Sequence, residues 1–87
     1  MNNSFYPTLD VHGETRDTVV YPVKSFIQDN LKLQKKRIVI IHGRGEGILK
    51  KQVHEILKKH PKVLNYYIDG MNLGATMVEL KIAKFDK

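Results

Sequence analysis

A strand that hands over to a helix through three alternating glycines is the feature that most constrains this chain. Arg37 to Ile41 is a continuous β-branched run, the mark of a strand buried on both faces, and Ile48 to Lys59 carries helical periodicity. Between them lies His42-Gly43-Arg44-Gly45-Glu46-Gly47. Glycines at 43, 45 and 47 keep side chains away from the backbone. The amides there can converge on an anion, with the positive end of the helix dipole behind them. His42 adds a proton carrier and Arg44 a planar cation. A second segment, Leu9-Asp10-Val11-His12-Gly13, also stands where a strand gives way to a helix. Together they point to a compact site for a phosphate-bearing ligand.

The 87 residues, 41% hydrophobic, allow one small domain. Residues 1–7 show no period and read as a loose arm; residues 8–87 read as the domain. No apolar run approaches the roughly 20 residues of a membrane span, no signal-peptide pattern opens the chain, and cysteine is absent. The expected compartment is the cytoplasm, and the fold must stand on its core alone. Charge is uneven. Residues 32–62 hold ten Lys or Arg (32, 35, 36, 37, 44, 50, 51, 58, 59 and 62) against Glu46 and Glu55, a net +8, whereas the remainder carries −2. A one-sided basic field of this kind suits a polyanion surface, and equally a solvated face.

Thr8 to His12 alternates as a short strand. Thr15 is placed to cap a helix whose apolar stripe is Val19, Val23, Phe26, Ile27 and Leu33, with Pro22 kinking it or delaying its start. Leu49, Val53, Ile56 and Leu57 form the stripe of the second helix. Its expected outer face holds Lys51, His54, Glu55 and Lys58, and His60-Pro61 ends it. Val63 to Ile68 and Ala75 to Ile82 read as strands around a turn-rich loop, 69–74. The order βαβαββ implies a two-layer α/β sandwich, with a mixed four-stranded sheet and both helices on one face. Right-handed crossovers make the first three strands parallel and the short last loop makes the fourth antiparallel. The carboxyl ends of the first two strands then bring Asp10, His12, His42 and the glycine loop to one edge.

Leu9-Asp10-Val11-His12-Gly13, His42-Gly43-Arg44-Gly45 and Gly74-Ala75-Thr76-Met77-Val78-Glu79-Leu80 resemble, in order and spacing, the three signatures of the Smr (small MutS-related) domain family. The resemblance covers residues 8 to about 82. It implies a fold similar to the C-terminal domain of bacterial translation initiation factor three. It also implies nucleic acid binding, DNA or RNA, and in several branches nicking of DNA or cleavage of RNA, sometimes on ribosomes. Asp10 and His12 match the D-x-H of the first motif; His42, Gly43 and Gly45 match the second. Arg44 falls at a variable position, and Met71-Asn72-Leu73 replaces the usual glycine-rich approach to Gly74. Both a free-standing Smr protein and the C-terminal domain of a MutS-like ATPase fit the pattern.

Phosphodiester cleavage needs a base, an acid and charge stabilisation. His12 and His42 are the expected proton carriers, with Asp10 orienting an imidazole or acting as base. Gly43, Arg44, Gly45 and Gly47 are expected to hold phosphate with Lys50 and Lys51, whose place in the first turn of a helix opposes its dipole. The bland alternative gives Asp10 and His12 turn and cap bonds and leaves His42 packed at a strand end. The protein is then a non-catalytic module that binds nucleic acid or a ribosome. No dedicated metal site is expected. Asp10, His12 and Asp69 are oxygen and nitrogen ligands that leave a Mg or Mn ion open as a cofactor. Tyr67 belongs on the open sheet face if helices cover Leu64, Tyr66 and Ile68, and could there stack on a base.

Overall fold

The computed structural model describes residues 5–45 and 47–83. Residues 1–4 of the expected arm, Glu46 and residues 84–87 lie outside them. The elements are β1 (Thr8–Asp10), α1 (Val20–Lys32), β2 (Arg37–Ile41), α2 (Ile48–Lys59), β3 (Val63–Asp69) and β4 (Asn72–Leu80). The sheet order is β1-β2-β4-β3. β1 runs parallel to β2, and β4 lies antiparallel to both β2 and β3. The two-layer α/β arrangement read from the sequence is therefore the fold, with β4 inserted between the strands that α2 connects.

The core joins α1 (Val23, Ile27) and α2 (Val53, Ile56, Leu57) to the sheet residues Ile38, Ile40, Val78 and Leu80, with Val11 and Val19 beside them. Ile38, Val39 and Ile40 are all buried, as a two-sided strand requires. Pro7 continues the sheet, its carbonyl accepting the Val39 amide at 2.9 Å. The end of the expected arm is thus docked on β2.

Pro22 delays α1. Thr15 and Thr18 cap a preceding turn reciprocally: the Thr18 amide donates to Thr15 Oγ1 at 3.0 Å and the Thr15 amide to Thr18 Oγ1 at 2.8 Å. Thr15 thus caps this turn, and the regular helix begins at Val20. Without an N–H, proline belongs in the first helical turn, where its position costs no interior bond. The helix ends at Lys32, so Leu33 is left 65% exposed and Leu31 packs against the core in its place.

The strand ends also differ from the periodic reading. A bulge between Val63 and Asn65 puts two steps of β3 against the single step from Leu80 to Glu79. It turns Val63 to the core and leaves Leu64 exposed, correcting the placement of Leu64 beside Tyr66. Asp69 Oδ1 accepts the Met71 amide and Asn72 Oδ1 accepts the Gly74 amide, so the turn is held by its own side chains and β4 begins at Asn72.

Candidate nucleic-acid site at the strand ends

β1 ends at Asp10, whose register partner is Ile41, the last residue of β2. The Val11 amide adds one more ladder bond, to the Ile41 carbonyl at 2.8 Å. The two motif segments therefore leave the sheet side by side. A Cβ built on Gly43 would stand 3.6 Å from the Cβ of His12. The third motif meets them through Gly74, whose carbonyl accepts the amides of both His42 and Gly43 at 2.9 Å. A side chain at 74 would come within 3.1 Å of the Gly43 backbone, which accounts for glycine there. All three sequence signatures converge at this edge.

Asp10 and His12 form one unit. Asp10 Oδ1 accepts from the His12 amide at 3.0 Å and contacts His12 Nδ1 at 2.5 Å. A carboxylate only accepts, so Nδ1 carries the proton and Nε2 presents its lone pair. Both side chains are open to solvent, at 48% and 71% for Asp10 and His12. The side-chain bond between them holds the Asp10 carboxyl below its ordinary range and raises His12 above the usual imidazole value.

His42 is placed otherwise. It follows Ile38 and Ile40 on the helix-covered side and is only 4% exposed. Its Nδ1 lies 3.0 Å from the Gly43 carbonyl and its Nε2 lies 2.8 Å from Thr76 Oγ1. Thr76 Oγ1 also lies 2.7 Å from His54 Nε2. The protons follow from the partners. The Gly43 carbonyl accepts from His42 Nδ1–H, Thr76 donates its one proton to His42 Nε2, and His54 Nε2–H donates to Thr76. His42 is neutral in this arrangement, the form that burial favours. Burial pushes both histidines below the usual imidazole value, with His42 and Lys50 adding to the shift at His54 and Lys50 to that at His42. His54 also meets Tyr66 edge-on, ring centroids 5.0 Å apart.

His54 is thus turned inward, against the outer-face expectation. It stands four residues after Lys50 and three before Leu57, on the flank of the apolar stripe nearest the glycine loop. Thr76 was visible only as part of a strand motif. A polar residue between Ala75 and Val78 on a core strand was the available signal for a buried hydrogen-bond centre.

A shallow groove of about 240 Å³ is lined by His42, Gly43, Gly45, Gly47, Ile48, Leu49 and Lys50. Gly43 (φ 89°) and Gly47 (φ 87°) take the left-handed conformation, and Gly47 is the N-cap of α2. The Gly43 amide is turned to Gly74, so donors for an anion come from the later loop and the first turn of α2. Arg44, Lys50 and Lys51 are exposed, and of the three Lys50 lines the groove.

The other seven cations of the +8 segment lie elsewhere. Lys32, Lys35, Lys36 and Arg37 stand between the end of α1 and the start of β2; Lys58, Lys59 and Lys62 stand between the end of α2 and the start of β3. That is the opposite edge of the sheet. The single basic field inferred from sequence is two fields, because each helix carries the chain from one edge to the other. Among the described residues, no three His, Cys, Asp or Glu side chains gather to hold a metal ion, and Asp69 is occupied with its own turn. Among them, too, no helix is long and apolar enough to cross a membrane.

The comparisons agree with this geometry. The structure superposes on the crystal structure of the Smr domain of Thermus thermophilus MutS2 with a TM-score of 0.82 at 22% identity, covering 85% of this chain and 96% of that one. In sequence, the chain is 41% identical over 76 residues to Endonuclease MutS2 of Geobacillus sp. (strain WCH70) and 35% identical over 78 residues to that of Halothermothrix orenii. The matches take in 84% and 86% of this chain and 10% of each relative, so the chain spans about a tenth of their length. The Smr domain family model matches residues 9–81, and the chain belongs to that family.

Proposed function

We propose that the protein cleaves nucleic acid at a phosphodiester bond, with His12 as general base and Asp10 orienting it. The observation that carries this reading is the exposed Asp10–His12 pair. A carboxylate fixes one ring nitrogen, raises the basicity of the other and leaves it facing solvent beside a cationic glycine loop. The name endonuclease borne by the relatives supports the same class of reaction. His42 has a different part. Buried and bonded at both nitrogens, it cannot exchange protons with a substrate without breaking its network; it holds the loop through Gly43. Phosphate lies in the groove at Gly45 and Gly47, its charge neutralised by Lys50 on the groove wall and by the exposed Arg44 and Lys51 next to these residues in the chain.

The chemistry favours RNA. His12 Nε2 takes the proton of the 2′-hydroxyl, the 2′-oxygen bonds to phosphorus, and the bond to the 5′-oxygen breaks. That oxygen draws its proton from water at the open edge, and the hydroxide left behind takes the proton from His12, returning the ring to its neutral form. The products are a 2′,3′-cyclic phosphate and a 5′-hydroxyl. DNA lacks this internal nucleophile. The donor set does not suit a resident Mg or Mn ion, since Asp10 Oδ1 already holds His12 and no third ligand joins them among the described residues.

End-labelled RNA and DNA of one sequence, single-stranded and duplex, are incubated with the protein in EDTA. RNA is expected to be cut to cyclic-phosphate ends while DNA stays intact. Cleavage that requires a divalent ion, or DNA nicked as readily as RNA, would contradict the mechanism.

A further inference from the structure

One face of the sheet carries no helix, and the register defines its rows. Arg37 pairs with Glu79 and Glu79 with Asn65; Val39 pairs with Met77 and Met77 with Tyr67. Tyr67 is 44% exposed on this face, Leu64 reaches 65% because of the bulge, and Phe5 reaches 96%. Leu64 and Phe5 line one depression of about 620 Å³ with Lys35, Lys36 and Arg37. Three backbones meet at this end of the sheet: the Leu80 amide bonds to the Lys36 carbonyl and the Lys81 amide to the Lys62 carbonyl, each at 2.8 Å. Lys35, Lys36, Lys62 and Lys81 therefore form an exposed cationic rim. The acids on this face are each engaged: Glu79 by Arg37 at 3.7 Å and by the Tyr67 hydroxyl at 3.4 Å, Asp10 by His12, and Asp69 by the Met71 amide.

The face also leads to the Asp10–His12 pair. Arg37 and Ile41 are the two ends of β2, about 13 Å apart at the rise of a strand, and Ile41 is the register partner of Asp10. Leu9 packs into the core, so Asp10 alternates to the open side.

We propose that this open face is a platform for single-stranded nucleic acid. Bases stack on Tyr67 and its apolar neighbours, phosphates bind the Lys35–Lys36–Lys62–Lys81 rim, and the strand runs along β2 toward Asp10 and His12. That last clause rests on the cleavage reading above; the binding surface does not. Half-exposed aromatic and apolar side chains on a flat sheet offer stacking only to unpaired bases, while a duplex presents phosphates and no base face. The cationic rim selects a polyanion over an apolar protein segment.

The test is fluorescence anisotropy of the whole chain with labelled 12-nucleotide single strands, RNA and DNA, and the matching duplexes. Tyr67→Ala should weaken single-strand binding about tenfold, the order expected for one lost base stack. Tyr67→Phe should bind as the parent does, and duplex binding should not change. Tyr67→Trp introduces the only tryptophan of the chain; its emission should be quenched by the single strand. Joint Lys36→Ala, Lys62→Ala and Lys81→Ala replacement should flatten the slope of log K against log salt by about 2, at roughly 0.7 per single-strand phosphate contact. Unchanged affinity with Tyr67→Ala, no quenching in Tyr67→Trp, or equal displacement of the oligonucleotide by polyglutamate would each overturn the platform. If the platform fails while RNA is still cut, the cleavage reading stands. If cleavage fails while Tyr67 still governs binding, the platform stands alone.

Discussion

Replacing His12 by Ala should lower RNA cleavage at least roughly 100-fold, the lower range for loss of a general base. It should leave RNA binding at low salt nearly unchanged. The separation follows from geometry. His12 is exposed on a turn, where its loss opens no cavity and strips no buried group of a partner. In the proposed function the phosphate contacts fall on the glycine loop, Arg44, Lys50 and Lys51, and in the platform on the lysine rim, none of them on His12. Single-turnover cleavage beside anisotropy binding separates the two effects. A His12→Ala protein that cleaves normally would remove the catalytic assignment and leave a binding module.

Thr76→Val should be the most damaging single-atom change in the domain. Valine keeps the shape and suits a strand, but it removes the one hydroxyl that serves both His42 and His54. Each stranded ring nitrogen costs about 1–3 kcal/mol, so with two of them unfolding should become easier by about 2–6 kcal/mol. For a domain of this size the melting temperature should fall by at least roughly 8 °C. Thr76→Ser keeps the hydroxyl and loses one buried methyl, a cost near 0.8 kcal/mol. Calorimetry that ranks Val no worse than Ser would show that the hydroxyl does not hold the two rings.

The division between what sequence reveals and what it hides follows from which forces are local. Periodicity located β2 and α2 because Ile38 to Ile40 and Val53, Ile56 and Leu57 are apolar at strand and helix spacing, and burial follows directly. The convergence of Asp10, His12 and Gly43 was legible too, since parallel strands place their carboxyl ends together. Three features were not. The bulge at Leu64 depends on register between β3 and β4, and one inserted residue exchanges the faces of the strand before it. His54 looks solvated on a helical wheel because its partner, Thr76, lies 22 positions away. The basic segment looked continuous because charge was counted along the chain, whereas α2 carries Lys50 and Lys58 to opposite edges.

His42 shows how a motif residue can be correctly located and still differently employed. Its position at the end of β2 is the expected one, but strand alternation turns its ring beneath the loop rather than onto the edge. In the proposed mechanism the histidine pair anticipated from sequence becomes one reacting imidazole, paired with Asp10, above a second that is buried and bonded to Gly43 and Thr76.

The pH dependence of cleavage in the parent and in Asp10→Asn tests that pairing most directly. Because the Asp10 carboxylate favours the protonated ring, His12 binds its proton more tightly than a free imidazole does. The active base is the neutral ring, so the rate should rise with pH through a midpoint above about 6.5, the ordinary imidazole value, and then level off. Asn at position 10 removes the charge, so the midpoint should move down toward the ordinary value while the plateau rate falls. A midpoint that stays where it was in Asp10→Asn, or a rate that does not depend on pH, would contradict a carboxylate-oriented His12 as the base.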